Sequence, residues 1–118
     1  MNTPCPSRII MLMAANTPDR DAVLEDIRTL TAASAPRLDQ VERTLADGYA
    51  CALSLEALRL RLQGRLEQQA VALEGSSGLA VEEVAELAQG VARADEHLAE
   101  LRTALAELAK ISRRLRER

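Results

Sequence analysis

Along the last third of the chain, apolar residues recur at alternating intervals of three and four. Val84, Leu87, Val91, Ala94, Leu98, Leu101, Leu105, Leu108 and Leu115 follow this rule, and only Ser112 breaks it. That spacing is the seam of a heptad repeat and predicts a helix over about 79–117. Glu82 and Glu83 stand near its start and Arg113, Arg114, Arg116 and Arg118 near its end, so both charge clusters complement the helix macrodipole. Beside the seam Ala85, Ala92, Ala99 and Ala106 are spaced seven apart, joined by Ala88 and Ala109. Small side chains on a flank let a second backbone approach, which predicts contact with more than one neighbour. Alanine's preference for helix on an exposed face yields the same stripe without any neighbour.

The middle of the chain reads as one long helix over about 36–74, ended by Gly75-Ser76-Ser77-Gly78, the residue types a tight reversal needs. At 100° per residue, Cys51, Leu55, Leu58, Leu62, Leu66 and Leu73 share one face, with Gly48, Arg59 and Gln69 among them. Leu53, Leu60 and Val71 fall nearly opposite, with Gly64 between them. A helix apolar on two sides has to be covered on two sides. The short loop predicts that the two long helices fold back as an antiparallel, coiled-coil-like hairpin with arms about 57 Å long. Arg59 then falls opposite Ala94 and close to Asp95, a polar pair at the seam. Such a pair either fixes the register or belongs to a buried binding site.

A shorter helix is expected over about 18–34. Thr17 is suited to cap it, Pro18 to open it and Asp19 to sit at its positive end, while Pro36 disfavours helical geometry at Ala35. Val23, Leu24, Ile27 and Leu30 form its apolar face. About 25 Å in length, it covers the long middle helix from about Arg37 to Leu53 and no further. The fold class that follows is all-α, a three-helix bundle made of a long hairpin and a shorter N-terminal helix, completed by dimerisation. Residues 17–118 form its single domain, and residues 1–16 an apolar leader, free or docked. The strip left bare towards the loop contains Leu60, Gly64, Val71, Val81, Ala85 and Ala92. Exposed apolar patches of several hundred Å² mark interfaces, so these six residues are the expected partner surface. Three occupants fit it: the leader run Ile9 to Met13, a second copy of the chain, or an amphipathic helix of another protein.

Composition supports this and narrows the chemistry. The 118 residues contain one aromatic, Tyr49, and five glycines, which points to aliphatic helix packing rather than a sheet or a stacking pocket. A net charge of −3 with both signs interspersed gives no long-range attraction to nucleic acid or an anionic membrane. The basic tail, Lys110 with Arg113, Arg114, Arg116 and Arg118, is interrupted by Glu117 and has no aromatic for base stacking. Cys5 and Cys51 are too few and too far apart to form a disulfide framework, and neither has a metal-ligating companion at the usual spacing. Arg8 followed by Ile9 to Ala15 resembles a very short signal peptide, but the apolar run barely reaches the minimum length and no lipobox cysteine follows. The expected location is therefore the cytoplasm.

No nucleophile motif, phosphate loop or metal cluster appears, and His97 is the single histidine. No catalytic, cofactor or metal residues are expected, and no small-molecule substrate. The function that follows is a non-enzymatic interaction or oligomerisation module working as an adaptor, assembly factor or chaperone. The competing reading is a small helical enzyme or ligand sensor with a pocket around Arg59, helped by Gln69 and Arg102. A single inward cation is thin support for it.

Overall fold

The computed structural model describes residues 19–73 and 79–118, and within them the chain forms three helices and no strand. They are α1 (Arg20–Ala32), α2 (Leu38–Leu73) and α3 (Leu79–Arg116). Residues 1–18, which include the leader and the proposed Thr17-Pro18 helix start, and residues 74–78, which include the Gly-Ser loop, lie outside the described residues.

Each helix boundary has a local cause. Asp19 caps α1: its carboxylate accepts the Asp21 backbone N–H at 3.2 Å and its carbonyl accepts the Val23 N–H at 2.9 Å. Helical structure thus begins two residues later than the sequence suggested, because the carboxylate of Asp19 is used as the cap itself and not as a first-turn charge. The last residue of α1 is Ala32, not Ser34. A helical carbonyl needs the N–H four residues ahead, and for Ala32 that residue is Pro36, which has none to give. Ala33 is already extended, its N–H donating to Leu30 at 3.3 Å.

Pro36 likewise stays outside α2. The Val41 N–H donates to the Arg37 carbonyl at 3.0 Å, so Arg37 occupies the cap position and helix follows from Leu38. At the far end of the chain, α3 carries Glu82 in its first turn and Arg113, Arg114 and Arg116 in its last, the arrangement the macrodipole favours.

The chain divides into two compact units. One has as its described residues 19–54 and 98–118, and therefore holds α1 with parts of α2 and α3. Its core is made of Val23, Leu24, Ile27 and Leu30 from α1, Val41, Cys51 and Ala52 from α2, and Leu98, Leu101, Leu105 and Leu108 from α3. Val41, Leu101 and Leu108 are completely buried. Gly48 sits against Leu105 so closely that a methyl group at that position would collide with the leucine side chain. Here glycine is required by a close approach and not by any special backbone angle. Arg116 reaches Glu42 at 2.6 Å, and with Gly48 on Leu105 this shows α2 and α3 passing in opposite directions. Ser112, where the heptad spacing fails, is nonetheless buried.

The other unit comprises the described residues within Leu55–His97, all of them from α2 and α3. Leu62, Leu87 and Val91 form its core, flanked by the partly buried Leu58 and Leu66. Ala94 is buried as well, and Leu62 approaches Gly90, where an added Cβ would lie 3.3 Å from it. Burying one leucine contributes roughly 1.5–3 kcal/mol. Among the described residues, this unit therefore buries fewer large apolar side chains than the unit that contains α1.

One expectation is corrected. Leu53 was expected beneath α1, yet it is 66% exposed. The reason is where α1 lies: Arg20 and Arg28 both reach Glu100 of α3, at 3.1 and 3.0 Å. The short helix sits against α3 as well as α2 and leaves the outer face of α2 bare.

Candidate partner interface

On α2, Leu60, Gly64 and Val71 are spaced four and seven apart, which places them within about 40° of one another on the helix. Leu60 is 67% and Val71 70% exposed, and Gly64 is exposed between them. A Cβ added at Gly64 would meet nothing within 4 Å, so the surface is low and open at that point. On α3 of the same unit, Val81 is 55% exposed and Ala85 and Ala92 are exposed too. All six residues belong to the unit that has no third helix among its described residues.

Two further exposed residues lie outside the six expected at the partner surface. Tyr49 and Leu53, in the other unit, are 50% and 66% exposed. Both lie on the same helical stripe of α2 as Leu60, since Leu53 is seven residues before it and Tyr49 one turn earlier. The spacing was visible in the sequence. Leu53 stands at the end of the stretch that α1 was expected to cover.

Within the same two-helix unit the Arg59 Nε donates to the Asp95 carboxylate. The side chains are 36% and 51% exposed, so the pair is half-solvated and contributes about 0.2–1 kcal/mol. Its geometric effect is to tie one position on α2 to one on α3. The guanidinium of Arg59 is thus already engaged by Asp95.

In the unit containing α1, Leu24, Arg28, Ala99, Glu100, Thr103, Ala104 and Glu107 line an open groove of about 430 Å³. Its charges are already engaged, since Glu100 binds both Arg20 and Arg28. Ala99 of the alanine stripe lines this groove but is exposed, as are Ala85, Ala88, Ala92 and Ala106; Ala109 is half-buried.

Cys51 is buried, 3% exposed. Burial pushes its thiol pKa up, Arg20 draws it back and Asp19 raises it again. A thiol held in its protonated form is a poor nucleophile. His97 is half-buried. Among the described residues no three His, Cys, Asp or Glu side chains come together to hold a metal, and no helix is long and apolar enough to cross a membrane. No protein family matches the chain, nor does any curated protein or solved structure.

Proposed function

We propose that the protein is a non-enzymatic helical interaction module. In this reading α2 and α3 form a coiled-coil-like hairpin, and its two-helix unit receives an amphipathic helix on the strip Leu60, Gly64, Val71, Val81, Ala85 and Ala92. The helix comes from a second copy of the chain or from another protein. The observation that carries this is the pairing of Leu60 and Val71, each about two-thirds exposed on one face of α2, in the unit with the smaller core. Large aliphatic side chains held in water on a regular helix stripe are what a helix-in-groove contact uses as anchors. A partner helix would supply the third layer that α1 supplies in the other unit.

The test is the solution mass between about 1 and 100 µM, a range chosen to span the weak affinities of small interfaces, for the chain and for Leu60→Glu and Val71→Glu. Association beyond the 12.8 kDa monomer that either substitution weakens tenfold or more supports the strip. Association unchanged by both substitutions overturns it for self-assembly.

A further inference from the structure

We propose that the helix received by the strip is α2 of a second copy, packed antiparallel about a twofold axis between Leu60 and Gly64, so that Leu60 of each chain seats on Gly64 of the other. This rests on the strip being a docking surface, and it names the occupant and its direction.

Three helical glycines lie among the described residues, Gly48, Gly64 and Gly90, and none has a positive φ, so no backbone conformation calls for them. Two are explained by a leucine from the helix opposite. A Cβ at Gly48 would collide with Leu105, and one at Gly90 would lie 3.3 Å from Leu62. In both places glycine on one long helix accepts leucine from the other. Gly64 is the exception, because a Cβ there would meet nothing within 4 Å. A glycine in an exposed helix interior weakens the helix relative to alanine, and the chain's own packing makes no use of this one. Gly64 is a socket of the kind the molecule fills twice, here without its leucine.

Leu60 of a second copy supplies that leucine. It stands one helical turn before Gly64 on the same stripe and is 67% exposed. One surface therefore holds both knob and socket, the self-complementarity that a twofold interface needs, in which residue i meets j and j meets i. Direction follows from the same pair. Antiparallel packing lets both leucine-on-glycine contacts form at once, whereas parallel packing in register sets Leu60 on Leu60 and Gly64 on Gly64. The flanks bear on this choice too. Arg61 and Arg65 run along one side of the stripe, Glu56 and Glu67 along the other. An antiparallel pair faces like charge with like and gains from screening by salt; a parallel pair would set Glu56 against Arg61 and lose by it.

The test exchanges knob and socket in the full-length chain and reads dimerisation by sedimentation equilibrium between about 1 and 100 µM. Gly64→Leu and Leu60→Gly should each weaken the dimer about tenfold or more, while the double variant, which makes the same contact with the roles reversed, should return to within about threefold of the unaltered chain. Gly64→Leu fills open space in the single chain, so its thermal melt should not fall, and its weakened dimer decides the matter even where Leu60→Gly melts early. Raising NaCl from about 0.05 to 0.5 M should leave the dimer as tight or tighter. A chain that stays monomeric throughout overturns the inference, as does a double variant no better than the worse single one, or a dimer that salt weakens. Association lost in Leu60→Glu but unchanged in Gly64→Leu rejects this arrangement alone and leaves the strip as the docking surface. Self-association indifferent to Leu60→Glu, Val71→Glu and Gly64→Leu rejects both.

Discussion

In the unit containing α1, the inward leucines of α3 meet side chains from two other helices, and Leu101 and Leu108 lose all contact with solvent. In the unit within Leu55–His97 the same two long helices have only each other among the described residues, and on α2 only Leu62 reaches comparable burial. The repeat pattern along α3 runs through both, broken only at Ser112 in the unit containing α1. Regular spacing specifies which face of a helix is available for burial, whereas the number of neighbours decides how complete the burial becomes. One further short helix, thirteen residues long, separates a well-filled core from an open one.

The sharpest way to break this comparison is to remove a leucine from each unit. Leu101→Ala should cost about 3–5 kcal/mol, near the top of the usual range for a buried leucine, because three helices fix the cavity walls. Leu87→Ala, although only 1% exposed, should cost about 2–3 kcal/mol, because two helices close more easily around the loss. Urea melts of both variants measure the difference, and equal losses would mean that the units are equally rigid.

Glycine substitutions sharpen the same contrast at smaller magnitude. Gly48→Ala drives a methyl into Leu105 and should destabilise by about 1–3 kcal/mol through overpacking. Gly64→Ala meets open space and should stabilise by up to about 1 kcal/mol, the helix-propensity difference between the two residues. Thermal melts of the pair should move in opposite directions.

The smallest effect is in pH dependence. The thiol pKa of Cys51 is raised in the folded chain, chiefly by burial, so above the ordinary thiol pKa the unfolded chain has lost a proton that the folded chain retains. Stability associated with this group is fully present below that value and is lost as pH rises through the folded one. Urea midpoints should therefore fall as pH rises above the ordinary thiol pKa, near 8.5. Cys51→Ala should remove that part of the slope while leaving the acid side unchanged.

The amino-acid sequence determined the helical class, the three segments and the face each one buries. Periodicity and end signals act within a few residues, so they can be read locally. Leu98, Leu101, Leu105 and Leu108 were placed on the seam by spacing and are buried; Arg59 was placed near Asp95 by the loop position and pairs with it. Helix ends were legible to within two residues, the error at Asp19 and Pro36 arising because several neighbouring residues were suited to the same cap. The exposed stripe Leu60, Gly64 and Val71 was legible too, as a face left without an assigned cover.

Tertiary structure alone decided where α1 rests. Its contact with α3, through Arg20 and Arg28 on Glu100, depends on side chains eighty and seventy-two residues apart. No local pattern encodes such a contact. That placement leaves Leu53 and Tyr49 in water and divides the chain into one filled and one open unit. Whether a third helix covers a given stretch is settled by long-range packing, and the stripe on α2 carries no local mark that distinguishes a covered position from a bare one.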